Sequence, residues 1–369
     1  MSNTYVCVHV LQDVPPANLN RDDNGTPKQA VYGGVDRLRV SSQAWKRATR
    51  MHFRERMDRD AQGIRTRRLH GILTKALEDR GKDHEAAKAL AKESLGTLKI
   101  TPDRNNEAQS SYLLFAGRRQ LEELADALAA DGADAKSVDA AEILGSTHPL
   151  DVALFGRMVA DMTQLNVDAA AQVAHAISTH AAPTQFDYFT AVDDQQEKDE
   201  AGAGMIGTVE FNSGTLYRYA VVGVEQLVEN MGDREEAIAG IGQFIESFVQ
   251  SMPTGKQNTF AAHTRPALVL VEVRDDQPVS LVSAFESPVR PRFEDGHSTG
   301  YMGASLERLA RHHRSEAERW GDEPRLLVAS YAASGNGDSA LTEAFGESTS
   351  LPDLVTRVTE SVSAGGRDG

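Results

Sequence analysis

The 369-residue chain has a single cysteine, two tryptophans, no internal repeat and an unfavourable supply of positive charge. One thiol, Cys7, cannot form an internal disulfide and excludes a cysteine-rich zinc site. No uninterrupted run of about 18 apolar residues occurs, so no membrane-spanning helix is expected. The opening residues MSNTYVCVHVLQDVPP carry neither a cationic stretch nor a small-residue cleavage site, so no secretory signal is expected. Together these features point to the cytoplasm. Gly202-Ala203-Gly204 lacks the strand–turn–helix setting of a nucleotide-binding loop. Lys and Arg number 39 against 54 Asp and Glu, a net charge of -15, which disfavours loose binding to bulk nucleic acid.

The charge that is present is sorted. Residues 28–68 carry twelve Lys and Arg against four Asp and Glu, a net of +8, which leaves -23 on the rest of the chain. Screening confines a field to about 8 Å at physiological salt, so a local basic patch on an acidic body can still hold a polyanion. Charge alone also fits a solvated basic helix face.

Tyr5–Leu11 is a β-rich run apolar on both faces, hence a central strand, and residues 12–40 are a long Pro-, Asn-, Asp- and Gly-rich loop. A helix starts at Ser41 or Ser42 and runs to about Met57. It turns Trp45, Ala48, Thr49 and His52 inward and Gln43, Lys46, Arg47, Arg50 and Arg54 outward. Residues 60–182 read as mostly helical, including an alanine-rich helix over Asn166–His180. Acidic residues crowd 187–204 and predict an exposed segment. Gly207–Phe211 and Thr215–Gly223 read as strands joined by a hairpin turn at Asn212-Ser213-Gly214. A helix follows from Arg234 to Val249 capped by Asp233, then a buried strand at Ala267–Val273, a helix over 302–319 and a strand at Leu326–Tyr331. Without the inserts, this order suits an α+β, ferredoxin-like or RRM-like β-α-β-β-α-β core.

The segment NLNRDDNGTPKQAVYGGVDRLRVSSQAWKRATR, residues 18–50, is the richest in chemistry. A loop bearing Arg21 and Lys28 leads through Gly33-Gly34 to Arg37 and Arg39, then to a serine cap and the basic helix. A helix N-terminus offers unpaired N–H groups and a partial positive charge, both suited to phosphate. Ser41 and Gln43 add neutral hydrogen bonds, and Lys46 and Arg50, four apart, can reach neighbouring phosphates. The same residues fit a plainer reading, in which a serine caps a surface helix and Arg37 and Arg39 pair with nearby acids. The residues alone leave both open.

The strings LNRDD, GG-x-x-R-x-R-x-SSQ-x-x-KRA, AHAISTH, FTAVDD, LYRYA and PTGKQNTFAA, spread in family order over residues 3–262, resemble the CasC family. That family comprises backbone subunits of type I-E CRISPR Cascade complexes in the RAMP group, and the last hundred residues are less distinctive. The resemblance implies a palm over 1–59 and 215–362, helical fingers inserted over 60–186, a β-hairpin thumb over 187–214 and a disordered tail over 363–369. It implies a scaffold rather than an enzyme, with neither cofactor nor metal. Its partners would be CRISPR RNA, further copies of the chain in a filament, other Cascade subunits, and target DNA through the guide. It matches Arg21 and Lys28 to basic loop positions, and Ser41, Gln43, Lys46 and Arg50 to phosphate-holding positions. Lys256 and Gln257 fall in the Gly-Lys-Gln loop near RNA. The acidic segment 193–204 and the strand after it match the thumb, with Met205 and Ile206 as the apolar wedge.

Other chemistries are weaker. His175 and His180 lie five apart, misaligned for a helical metal pair, and His312-His313 reads as surface. Ser41-Ser42 has no evident His and Asp partners. In related type III backbone subunits a loop aspartate cleaves target RNA, so a RAMP-type endoribonuclease using Asp22 or Asp23 is the alternative expectation.

Overall fold

A computed structural model describes residues 3–130, 132–191, 205–291, 293–294, 297–298, 300–332 and 338–365. The chain divides into two compact units, one formed by residues 1–49, 173–221 and 244–369, the other by 50–172 and 222–243. No helix among the described residues is long and apolar enough to cross a membrane.

The first unit is α+β. Its sheet runs in the hydrogen-bonded order Leu326–Tyr331, Leu268–Arg274, Tyr5–Ala17, Met205–Gly223, Ala176–Ser178, Val35–Val40, Gln29–Tyr32. Tyr5–Ala17 is central, as its two apolar faces require. It pairs antiparallel with Leu268–Arg274 from Tyr5↔Arg274 to Leu11↔Leu268. One face packs Cys7 and Leu11 with Tyr217, Tyr219, Leu270, Phe285 and Leu309. Helix Ser42–Arg56 buries Trp45, Ala48 and Thr49 as its periodicity predicts. Trp45 meets Phe248 edge-on, and the buried Arg218 guanidinium lies 3.8 Å from the Trp45 ring centre. Arg218 also donates to Gln12 Oε1 and the Phe248 carbonyl, and its burial lowers its pKa to about 9.

Three elements depart from the sequence expectation. Residues 12–40 are not one loop. The first strand continues to Ala17, and Gln29–Tyr32 and Val35–Val40 form a hairpin about Gly33-Gly34, whose φ values of 60° and 76° give the twist a two-residue turn needs. Asn212-Ser213-Gly214 is not a turn but the middle of the single strand Met205–Gly223. A Cβ at Gly214 would lie 3.1 Å from His180 Nε2, so this glycine serves close approach rather than reversal. Asn166–His180 is not a helix. Ala176–Ser178 is a strand, with Ile177 opposite both Arg39 and Tyr217. Alanine's helix preference yields there to sheet hydrogen bonds on both sides and to burial of Ala176.

The second unit packs helices Leu69–Glu78, His84–Thr97 and Arg118–Ala129 around Leu73, Leu77, Leu95, Leu121 and Leu124. It also contains a strand pair the sequence did not suggest, Gly63–Thr66 with Leu114–Gly117. Buried Arg157 donates to the Leu165, Phe115 and Leu144 carbonyls, and burial lowers its pKa to about 10. At the other end of the chain, helix Leu351–Ala364 reaches into the segment expected as a tail.

Arg37, expected at the ligand surface, is instead 0% exposed. Nε donates to the Tyr32 carbonyl at 3.0 Å and Nη1 to that of Ser178 at 3.0 Å, while Nη2 bridges Phe285 and Glu286 at 2.9 and 3.1 Å. With four of its five N–H donors held by backbone carbonyls and no exposed surface, this guanidinium does not face a ligand surface, which corrects the expectation. Arg37→Met strands those acceptors and should destabilise the chain by about 3 kcal/mol. Arg47→Met, on an exposed position, should stay within about 0.5 kcal/mol. Urea unfolding midpoints read both, and an Arg37→Met chain as stable as the parent would remove this account.

Candidate nucleic-acid interface

The true loop of this region is residues 18–28, and it is built rather than slack. Asn20 Oδ1 accepts the Ser41 N–H at 2.8 Å, and the Asn20 carbonyl accepts the Lys28 N–H at 2.9 Å. Asn18 Nδ2 donates to the carbonyls of Gly25 and Glu210, both at 2.9 Å. The Asp22 carboxylate accepts the N–H groups of Asn24 and Thr26 at 2.9 and 3.0 Å. Asp22 therefore shapes the turn that carries Arg21. Among the described residues no group of three His, Cys, Asp or Glu could hold a metal ion.

The loop returns to the start of the basic helix. Ser41 is buried and its Oγ accepts the Ala44 N–H at 3.3 Å, so it caps the helix and positions the residues after it. Gln43 is exposed on the first turn, and Lys46 is half-buried, its pKa lowered by desolvation. Arg21 is exposed and Lys28 half-exposed, and neither makes an ion pair among the described residues. Half-exposed Arg39 donates from Nε to the Gln29 carbonyl and lies 3.2 Å from His175 Nδ1. His175 was set aside in the sequence as a poor metal ligand, yet the sheet brings it to Lys28 and Arg39. Its pKa is lowered first by desolvation and then by those two cations. No sequence spacing links residues 28, 39 and 175; pairing of Val35–Val40 with Ala176–Ser178 does.

The Gly-Lys-Gln loop joins the same surface. A Cβ on Gly255 would fall 2.3 Å from the Leu19 carbonyl oxygen and 2.6 Å from that of Asn18, so this loop packs directly on the 18–28 loop. Lys256 is half-exposed in a left-handed backbone conformation, φ 50°, and Gln257 is exposed at the start of the short helix Gln257–Phe260. Arg50 behaves differently. Its guanidinium lies over the Phe115 ring, 5.2 Å from the centre, within the second unit.

The hairpin expected as a thumb pairs Gln185–Ala191 antiparallel with the start of Met205–Gly223, from Gln185↔Phe211 to Ala191↔Met205. Met205 and Ile206 are in strand, while their side chains and residues 192–204 lie outside the described residues. The hairpin presents aromatics that the sequence reading missed. Phe186 and Tyr188 share one face and are 69% and 61% exposed, and Phe189 covers Gly207 across the pair. Phe186 and Tyr188 flanking Asp187 at strand spacing were the available signal. Met158 of the second unit is 87% exposed. His313, expected at the surface, is buried with Nε2 2.7 Å from Glu272 Oε1.

The CT1975-like protein family matches residues 6–357. No curated protein matches the chain. A solved structure described as "CRISPR RNA-guided surveillance complex, pre-nicking" is similar at 34% identity and a TM-score of 0.84, over 97% of this chain and 100% of that one. A second, "CRISPR RNA-guided surveillance complex", is similar at 29% identity and a TM-score of 0.74, over 97% and 99%.

Gly255→Ala should push the two loops apart, lowering stability by about 1–3 kcal/mol and speeding proteolysis within residues 18–28. Thermal unfolding and limited proteolysis read the two effects. An unchanged cleavage pattern would dissociate the loops.

Proposed function

The chain belongs to the CT1975-like protein family and is built like a subunit of CRISPR RNA-guided surveillance complexes; from that premise we propose that it is the backbone subunit that binds the guide RNA. Copies assemble along the guide and present its bases to target DNA, while other Cascade subunits complete the particle. The observation that carries this reading is the convergence of Arg21, Lys28, Arg39, His175, Gln43 and Lys46 around a capped helix N-terminus. Cations at the start of a helix in that arrangement suit successive phosphates and read backbone, not sequence. Sequence is then left to base pairing by the guide. The exposed Phe186 and Tyr188 offer faces for base stacking, which tolerates any base.

On this reading the chain is not an enzyme. Metal-assisted RNA cleavage needs carboxylates converging on a cation. Asp22 instead has its carboxylate turned to two backbone N–H groups of its own loop. The endoribonuclease alternative gains nothing from that geometry.

Lys28→Ala and Lys46→Ala should each flatten the log–log salt dependence of single-stranded RNA binding by about 0.7 per lost phosphate contact. Both should weaken all guide sequences alike; a loss confined to one sequence would mean base readout. Asp22→Ala should lower guide affinity by unshaping the loop. Complementary RNA incubated with the guide-loaded protein and Mg²⁺ or Mn²⁺ should stay intact. Regularly spaced fragments that vanish in Asp22→Ala or Asp23→Ala would establish the nuclease instead.

A further inference from the structure

Arg218 lies in strand Met205–Gly223 and is 1% exposed. Its neighbours Tyr217 and Tyr219 turn to one face of the sheet, so strand alternation sends Arg218 to the other, under helix Ser42–Arg56. There its guanidinium carbon lies 3.8 Å from the Trp45 ring centre and 4.6 Å from that of Phe248. Nη1 donates to Gln12 Oε1 at 2.5 Å and Nη2 to the Phe248 carbonyl, while Nε has no hydrogen-bond partner among the described residues. Arg37 and Arg157 are buried too, but backbone carbonyls accept four hydrogen bonds from the one and three from the other. Arg218 has one carbonyl, one amide oxygen and two aromatic rings. Burial alone lowers its pKa, with no carboxylate acting on it. A cation in this position weakens the fold, because it has given up water without gaining an anion.

The charge has a use on the far side of the helix. Trp45 is on the inner face, while Gln43 and Lys46 follow the Ser41 cap on the outer one. We propose that Arg218 is a buried countercharge for the guide, which strengthens phosphate binding at the outer face of the helix without touching RNA. This rests on guide binding as proposed above and adds a residue that the surface alone does not reveal. A helix is about 10 Å across, so phosphates on its outer face lie about that far from the charge. Packed protein fills the space between, and it weakens the field less than water does. At an effective dielectric near 20, a unit charge at about 10 Å changes phosphate affinity by about tenfold. The log–log salt slope counts phosphates whose counterions are displaced by direct contact, and Arg218 displaces none. Its contribution therefore raises the affinity and leaves the salt slope as it is.

Gln12→Glu tests this with the packing retained. Glutamate matches glutamine in size and sets a carboxylate against Arg218 Nη1, which neutralises the buried charge in place. It also removes the Gln12 Nε2 donor from the Thr264 carbonyl, 2.9 Å away, so Gln12→Met serves as the control that loses the same bond and adds no charge. Fluorescence anisotropy of a short single-stranded RNA holding one copy of the full chain, over a salt series, reads affinity and slope together. Gln12→Glu should bind about tenfold more weakly with the parent's slope, and Gln12→Met should bind as the parent does. Arg218→Met, which removes the charge outright, should match Gln12→Glu; should it fail to fold, the Gln12 pair decides alone. Parent-like affinity in Gln12→Glu overturns the proposal. So does an equal loss in Gln12→Met, or a slope flattened by about 0.7 or more, since either makes Arg218 a packing residue whose disturbance displaces the surface contacts. A parent chain that binds no RNA at any salt concentration overturns the guide-binding reading itself.

Discussion

A charged side chain with no access to water holds the first unit's candidate surface in place. The Arg37 guanidinium ties the hairpin turn at Tyr32 to the neighbouring strand at Ser178 and to the Phe285–Glu286 segment. Carbonyls that would otherwise be buried without donors are satisfied by one planar group, whose fixed geometry also sets their spacing. Gly33 shows how tight the joint is: a Cβ there would collide with the Glu286 carbonyl at 1.6 Å. The second unit repeats the device with Arg157 and three carbonyls.

From that joint the surface follows by short steps. Val35–Val40 runs from the hairpin into the Ser41 cap, and the cap is held by Asn20 from the preceding loop. The helix it starts is anchored from behind by Trp45 against Arg218 and Phe248. The exposed cations therefore stand on a framework whose backbone is hydrogen-bonded at each step. Preorganisation of this kind lowers the entropy lost when a flexible polyanion is bound. An acidic body with a rigid basic strip also discriminates: the strip attracts at short range, and the body discourages contact elsewhere.

Electrostatic frustration takes two forms in this chain. In the first unit it is partly relieved, since His175 stays neutral more readily beside Arg39 and Lys28. In the second, Arg118 and Arg119 open helix Arg118–Ala129, whose first turn holds no acidic residue, and make no ion pair among the described residues. Groups that weaken a fold locally and persist in it are natural places to look for a partner.

Local chemistry was enough to read helix Ser42–Arg56, helix Arg234–Gln250 with its Asp233 cap, and the strands Leu268–Arg274 and Leu326–Tyr331. In each, periodicity and capping agree with the fold, so nearby residues carry the whole signal. The family was legible too, because its motifs are contiguous strings. Long-range pairing decided the rest. Ala171–Val173, Ala176–Ser178 and the Asn212–Gly214 stretch are strand because partners distant in sequence supply their hydrogen bonds. Arg37 and Arg39, two residues apart on one strand, look interchangeable in a sequence. Both project to the same face, and what packs over that face differs along the strand. The Tyr32, Ser178 and Phe285–Glu286 carbonyls enclose Arg37, while Arg39 is left half-exposed beside His175, a difference only the tertiary structure decides.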